Sequence, residues 1–224
     1  MATHLDLEEQ EQLDQLKHFW AKYGNLITLV LVLVLGGFAA WNGWQYWQNR
    51  SAVQAAALYD ELERAALARD AERVQRVFTD LQAQAGRTLQ ASQAGLLAAR
   101  TLHDAQKPDE ARAALQWVVD KSGDEAYQAI ARVRLAGLLM DKQAFDEALK
   151  VLDVKMPPTM APLAADRRGD ILLAQGQRDA AKAQYQAAYR DMVADAGYRR
   201  LIEAKLAALG VAVGDASDTQ EKTP

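Results

Sequence analysis

The stretch from Arg168 to Ala188 reads RGDILLAQGQRDAAKAQYQAA. Its apolar residues recur at three- and four-residue spacing on both sides of a glycine, which is typical of two amphipathic helices joined by a short turn. Small residues at Gly169 and Ala181 allow two helices to approach closely. Tyr185, one helical turn after Ala181, is large enough to fill the gap between them. The stretch therefore predicts an antiparallel helical hairpin.

The same spacing of small and large residues recurs, with some degeneracy, earlier in the chain. Steps of 33, 37 and 37 residues back from Ala181 and Tyr185 give three equivalent pairs, Ala148 with Leu152, Ala111 with Leu115, and Val74 with Phe78. A period of about 34 residues is the signature of tetratricopeptide repeats, in which stacked hairpins bury their apolar faces on one another. The pattern predicts an all-α fold containing an α-solenoid of tetratricopeptide-like hairpins. An irregular bundle of alanine-rich helices that imitates the repeat is the alternative.

Helix-breaking residues divide the chain after Arg50 at regular intervals. Eight breaks predict nine short helices in antiparallel succession, and they lie near Asp70, Gly86, Lys107, Gly123, Gln143, Pro157, Gly176 and Ala194. Pro108 suits the first turn of a helix. Ser122 and Glu125 have the spacing of a capping box, which predicts the start of another helix.

A long apolar run near the N-terminus predicts a membrane anchor. The 27 residues from Tyr23 to Asn49 carry no charge, and about 20 apolar residues are enough to cross a bilayer as a helix. Trp41, Trp44 and Trp47 lie near the end of the run, where aromatic rings favour the membrane interface. We therefore predict a transmembrane helix here, with a buried core helix as the alternative.

The segment before this run does not resemble that of a cleaved signal peptide. A secretory signal begins with a short basic segment, whereas residues 1–22 contain five acidic residues and two lysines. An uncleaved signal anchor is therefore favoured. The lysines and arginines near the two membrane ends are equal in number, Lys17 and Lys22 against Arg50 and Arg64, so charge does not decide the orientation. The shortness of the N-terminal segment favours an inside location for it.

Four small residues lie at helical spacing within the apolar run. Gly36 with Ala40, and Ala39 with Gly43, form small-x-x-x-small pairs, which allow the backbones of two membrane helices to approach closely. These residues are candidates for packing against another membrane helix. The alternative is that lipid merely tolerates them.

In a tetratricopeptide-like solenoid, the first helices of the hairpins line a concave surface. Projecting the repeat onto the sequence predicts a partner-binding groove formed by Leu96, Arg100, His103, Met140, Asp166, Asp170 and Leu173. The same projection places Tyr59, Glu63, Asp104, Val133 and Asp141 beside them. We expect the apolar members to contribute most to binding, because exposed ion pairs contribute little and desolvated anchors contribute more.

The sequence lacks the motifs of an enzyme or a metal site. It contains no cysteine and only three histidines, His4, His18 and His103, whereas a metal site needs three or four converging ligands. G-x-S-x-G, phosphate-binding glycine loops and H-E-x-x-H are absent. A net charge of −4 disfavours nucleic-acid binding. We therefore expect a binding protein without catalytic activity or cofactor.

Several motifs together resemble those of the YfgM family, ancillary subunits of the bacterial Sec translocon. They are the acidic, glutamine-rich start Glu8–Gln12, Phe19-Trp20, Tyr23-Gly24, the run Gly43–Trp47, and the block Ala165–Asp170. The resemblance covers about residues 6–209 and implies no catalytic residues. It implies a single-pass inner-membrane protein with a periplasmic tetratricopeptide-like domain. The implied partners are the Sec translocon channel, the periplasmic chaperone PpiD and translocating polypeptides, which the family is thought to help hand over to chaperones.

The expected organisation has four parts. Residues 1–22 form a cytoplasmic segment, 23–49 a transmembrane signal-anchor helix, 50–210 a periplasmic repeat domain and 211–224 a disordered polar tail. The expected function is a non-enzymatic, membrane-anchored adaptor of the Sec translocon. A structural scaffold or regulator of another envelope complex, without contact to nascent chains, is the alternative. A cytosolic-facing scaffold would differ in topology alone.

Overall fold

The computed structural model describes residues 7–192 and 196–211. It divides into two compact units, Met1–Ser51 and Ala52–Pro224. The break predicted near Ala194 and the predicted tail from residue 212 onward lie outside the described residues.

One helix, α1 (Leu7–Leu67), supplies the described residues of the first unit and continues into the second. In the first unit, the apolar side chains from Leu26 to Leu35 are almost all exposed, which does not suit a buried core helix. The Thr28 hydroxyl donates a hydrogen bond to the Gly24 carbonyl at 2.8 Å, so this polar group is satisfied within the helix, as lipid requires. Among the described residues, α1 alone is long and apolar enough to cross a membrane.

The second unit contains the end of α1 and eight further helices within the described residues. They are α2 (Ala71–Ala85), α3 (Leu89–Asp104), α4 (Pro108–Lys121), α5 (Glu125–Asp141), α6 (Phe145–Leu152), α7 (Ala161–Ala174), α8 (Arg178–Asp191) and α9 (Ala196–Ala208). Seven of the predicted breaks lie in described residues, and each separates two helices, which confirms them. Pro108 begins α4 as predicted.

These helices pack as consecutive hairpins. Helix α3 pairs with α4, α5 with α6, and α7 with α8, while the first helix α5 also contacts the first helices α3 and α7 on either side. The end of α1 joins α2 through the ion pair of Glu61 with Arg73, whose N–O distance is 2.9 Å. Stacked hairpins with adjacent first helices are the arrangement that the repeat predicts, so the all-α solenoid is confirmed.

The turn inside each hairpin has the same backbone conformation. One residue per turn has a positive φ: Arg69 at 56°, Gln106 at 59°, Gln143 at 59° and Gly176 at 79°. In each turn, the residue after the one with positive φ donates its backbone N–H to the carbonyl five residues before it, at 2.9–3.0 Å. This hydrogen bond caps the preceding helix. Only Gly176 adopts this conformation without the Cβ clash that costs other residues about 1–2 kcal/mol. These positions are separated by the same steps as the small and large pairs.

Helices α7 and α8 cross at close range. Ala181 and Tyr185 are 0% and 1% exposed, and a Cβ added at Gly169 would lie only 2.5 Å from Cε1 of Tyr185. A glycine is therefore required for the tyrosine ring to lie against α7. The Tyr185 hydroxyl donates to Oδ1 of Asp170 at 2.8 Å, which satisfies its polar tip. All three earlier pairs are also buried, so the repeat register is confirmed.

The predicted capping box of Ser122 and Glu125 is wrong. The N-cap of α5 is Asp124, whose Oδ1 accepts from the N–H groups of Ala126 and Tyr127 at 2.8 and 3.1 Å. Ser122 is buried, and its Oγ accepts a hydrogen bond from the Ser92 hydroxyl at 2.9 Å. Ser122 therefore connects α3 to the α4–α5 turn, and the neighbouring aspartate does the capping.

We expect Tyr185→Ala to lower the free energy of unfolding by about 3–5 kcal/mol, because it leaves a cavity between α7 and α8. Gly169→Ala should cost about 1–3 kcal/mol through overpacking against the same ring. Thermal unfolding of the fragment that begins at Ala52, followed by circular dichroism, measures both. Gln186→Ala on the exposed face of α8 is the control. Equal midpoints for all three variants would refute the packing register.

Candidate functional site

Two pockets in the second unit lie among the first helices of the hairpins. The first, of about 450 Å³, is lined by residues of α3, α4, α5 and α7. The second, of about 770 Å³, is lined by residues of α3, the α1–α2 and α3–α4 turns, and the end of α1. Arg100 lines both pockets, so they adjoin. We call them the arginine pocket and the α1–α3 pocket, and the two together the groove.

The groove brings together part of the predicted set. Arg100, His103 and Asp141 line the arginine pocket, and Glu63, Arg100 and Asp104 line the α1–α3 pocket. Arg100 and Asp104 form an exposed ion pair one helical turn apart, with an N–O distance of 3.9 Å. Exposed pairs of this kind stabilise a fold by at most about 1 kcal/mol. These charges are therefore available to a partner.

The predicted apolar contacts line neither pocket. Leu96 is 8% exposed and belongs to the main hydrophobic core. Met140 is half-buried against that core, and Leu173 is half-buried against the smaller core formed by α7, α8 and α9. The repeat projection predicted that these side chains would be on the surface. That prediction was wrong because the first helices are packed on several sides, which leaves fewer of their side chains open to solvent. Their apolar character therefore serves mainly the packing of the hairpins.

Asp166 and Asp170 do not form an open wall of the groove, because α9 covers them. Asp166 is 3% exposed and accepts hydrogen bonds from the Tyr198 hydroxyl and the Lys205 ammonium, both at 2.7 Å. Asp170 accepts from Lys205 at 2.6 Å and from Tyr185 at 2.8 Å. A buried carboxylate must be compensated by a cation and by hydrogen bonds. Helix α9 supplies both, so the two aspartates hold α9 on α7.

The two tyrosines of this network remain protonated donors. Burial raises the pKa of Tyr185 above its usual value, and its hydrogen bond to Asp170 adds to the effect. Burial likewise raises the pKa of Tyr198, together with its hydrogen bond to Asp166. Both hydroxyls therefore donate throughout the physiological pH range.

Two arginines in the groove were missed by the sequence projection. Arg134 of α5 and Arg167 of α7 line the arginine pocket beside Arg100. A Cβ added at Gly137 would lie 3.6 Å from Cζ of Arg167, so the Arg167 guanidinium lies against α5 at a position without a side chain. Arg134 and Arg167 are 33 residues apart. That is the step between the last two repeats, so the repeat pattern could have predicted that the two arginines occupy equivalent positions.

Three positively charged arginines line the arginine pocket, and the charge of one affects another. Desolvation lowers the pKa of Arg134 below its usual value, and the nearby charge of Arg100 lowers it further. Nη1 of Arg134 donates only a long hydrogen bond, 3.4 Å, to the Leu96 carbonyl. The arrangement can therefore attract anionic groups. Its lining contains no carboxylate other than Asp141.

Comparisons with known proteins agree with this architecture. The sequence model of a family described as a tetratricopeptide repeat-like domain matches residues 17–211. A protein of Neisseria gonorrhoeae named ancillary SecYEG translocon subunit is 34% identical over 213 residues, covering 93% of this chain and 100% of the relative. Proteins with the same name from Haemophilus influenzae and Escherichia coli are 29% and 26% identical, covering 81% and 84% of this chain and 89% and 90% of their own lengths.

We expect Lys205→Met to lower the free energy of unfolding by about 3–5 kcal/mol, because the buried Asp166 carboxylate loses its cation. Urea unfolding of the fragment that begins at Ala52 measures the change. The double variant with Asp166→Asn should be more stable than Lys205→Met alone, because the neutral amide at position 166 needs no cation. The control is Arg190→Gln, which removes an exposed pair with Asp191 and should cost at most about 1 kcal/mol. A loss for Lys205→Met as small as that of the control would contradict this role.

Proposed function

Since this chain belongs to the tetratricopeptide repeat-like family of ancillary SecYEG translocon subunits, we propose that it is a non-enzymatic, membrane-anchored adaptor of the Sec translocon. The observation that carries the proposal is the 34% identity with the Neisseria gonorrhoeae relative over that protein's whole length. The match to the family covers most of α1 and all the described hairpins. The match thus extends over both the proposed anchor and the helices that line the groove.

The anchor's role in this proposal is to hold the chain beside the channel. The apolar side chains of α1 are exposed in the first unit. Among the described residues, no side chain lies within 4 Å of where a Cβ would be at Gly36 or Gly43. Gly36, Ala39, Ala40 and Gly43 therefore leave a face on which a channel helix can pack closely.

In this function the second unit binds partners on the periplasmic side of the membrane. Residues 1–22 are cytoplasmic, residues 23–49 span the inner membrane, and the repeat domain, residues 50–210, is periplasmic. The groove would there receive PpiD or a translocating polypeptide and assist its hand-over to chaperones. Arg100 and His103 remain the candidate contacts from the predicted set, since they line the groove.

Affinity purification from gently solubilised membranes should recover channel subunits with this protein. Gly36→Leu combined with Ala40→Leu should reduce their recovery, because bulky side chains prevent close helix packing while the segment stays apolar. The matched control is Ile27→Leu with Val34→Leu, on the opposite face of α1. If the first variant, present in the membrane at normal levels, still recovered all the channel subunits, the association would have to depend on the second unit instead. Recovery of a different envelope complex without the channel would favour the scaffold alternative.

Cysteine labelling should establish the topology, because the chain has no native cysteine. Gln15→Cys lies before the apolar run and Lys121→Cys at the end of α4, and both positions are exposed. In intact spheroplasts, an impermeant maleimide should label Lys121→Cys and leave Gln15→Cys unlabelled until the membrane is permeabilised. The reverse pattern would place the repeat domain in the cytoplasm and defeat the proposed role.

A further inference from the structure

Three successive first helices each contribute an arginine to the arginine pocket. Arg100 comes from α3, Arg134 from α5 and Arg167 from α7. Ala99, Leu115 and Leu138 supply apolar lining, and His103 and Asp141 complete the titratable groups. The pocket therefore combines an excess of guanidinium groups with an apolar surface.

The arginines of this pocket form at most long ion pairs, Arg100 with Asp104 and Arg167 with Asp170. Arg73 and Arg112 each form an ion pair at 2.9 Å, the ordinary length of a charge-assisted hydrogen bond. The nearest paired carboxylate oxygens lie 3.9 Å from Arg100 and 3.6 Å from Arg167, beyond that length. Among the described residues, Arg134 forms no ion pair and only its long hydrogen bond to a carbonyl. The pocket thus holds guanidinium groups that make few short hydrogen bonds to described residues.

A second observation concerns Nε of Arg167, which is buried and has no hydrogen-bond partner among the described residues. A buried donor without a partner destabilises a fold. The side chain lies against Gly137, whose lack of a Cβ allows the guanidinium to approach α5 closely. An anion that entered the pocket could accept hydrogen bonds from Arg167 and Arg134, which both line it.

We propose that the arginine pocket binds the carboxylates of an acidic peptide segment. Arg134 and Arg167 hold a carboxylate, since a guanidinium presents paired donors that match it, and Arg100 lies at the side that leads into the α1–α3 pocket. Ala99, Leu115 and Leu138 receive an apolar side chain next to the acidic one. This inference rests on the groove being the partner-binding surface of the proposed function, and it specifies the chemistry of the partner.

The charges around the pocket favour a peptide over a polyanion. Asp141 lines the pocket and Asp104 stands beside Arg100, so a continuous row of phosphates would meet repulsion at both. A peptide with spaced carboxylates and apolar neighbours avoids both conflicts.

The test is fluorescence anisotropy with the full-length protein in an uncharged detergent. The probe is a fluorescein-labelled peptide of repeated Glu-Leu-Glu-Ala units, and the matched control peptide has Gln in place of Glu. We expect binding of the Glu peptide, weakening with added salt, and much weaker binding of the Gln peptide. Arg134→Gln with Arg167→Gln should weaken Glu-peptide binding about tenfold or more, the size expected for losing a hydrogen bond to a charged group. Arg87→Gln, an exposed turn residue outside the pocket, should not.

A second pair of variants guards against misfolding of the double arginine variant. Gly137→Glu places a carboxylate beside Arg167 within the chain and should block the peptide, whereas Gly137→Gln has the same shape without the charge and should block it less. Equal binding of the Glu and Gln peptides, or equal effects of the two Gly137 variants, would overturn the proposal. So would displacement of the peptide by glycerol 1-phosphate at lower concentrations than by unlabelled Glu peptide, which would assign the pocket to lipid head groups. The assay contains no channel, so its failure is distinct from failure of co-purification with the translocon.

Discussion

The solenoid depends on close contact between a small residue on one helix and a large one on its neighbour. At the α7–α8 crossing the contact is between Gly169 and Tyr185, where even a methyl group would clash with the ring. Because helix axes can approach only as far as their side chains allow, this contact sets how far each hairpin closes. The spacing of the first helices then follows from the stacking of closed hairpins. The arginine pocket exists because α3, α5 and α7 are placed side by side in this way.

Helix α7 carries two kinds of charge that make different contacts. Asp166 and Asp170 are one helical turn apart and meet Lys205 of α9, while Arg167 lies against α5 and forms only a long ion pair, 3.6 Å, with Asp170. Neighbouring residues on a helix point about 100° apart, so a single sequence block can serve two surfaces. The acidic surface is buried and structural. The basic surface is left facing the groove, where a ligand can reach it.

The helices and their register could be predicted because the signal is local and repeated. Small and large pairs at steps of 33 and 37 residues predicted the crossings, and glycine or proline marked five of the seven breaks that lie in described residues. The residues predicted for the groove were less accurate. The repeat pattern indicates which residues face the inner side of the solenoid, but it does not indicate whether a later helix covers them. Asp166 is buried by α9, which lies outside the repeat, and Leu96 by the packing of α3. Arg134 and Arg167 could have been found by asking which charges recur at the repeat step.

The docking of α9 also determines how separate copies of the chain behave towards each other. A solenoid grows by adding a hairpin to an exposed apolar end, so an uncovered last repeat would invite the first repeat of another molecule to stack on it. Such head-to-tail contacts do not close and would lead to filaments. Ile202 and Leu206 of α9 are 0% and 1% exposed in the core that covers the last hairpin. Helix α9 therefore covers the apolar end of the last described hairpin, the face on which the first repeat of another molecule would otherwise stack.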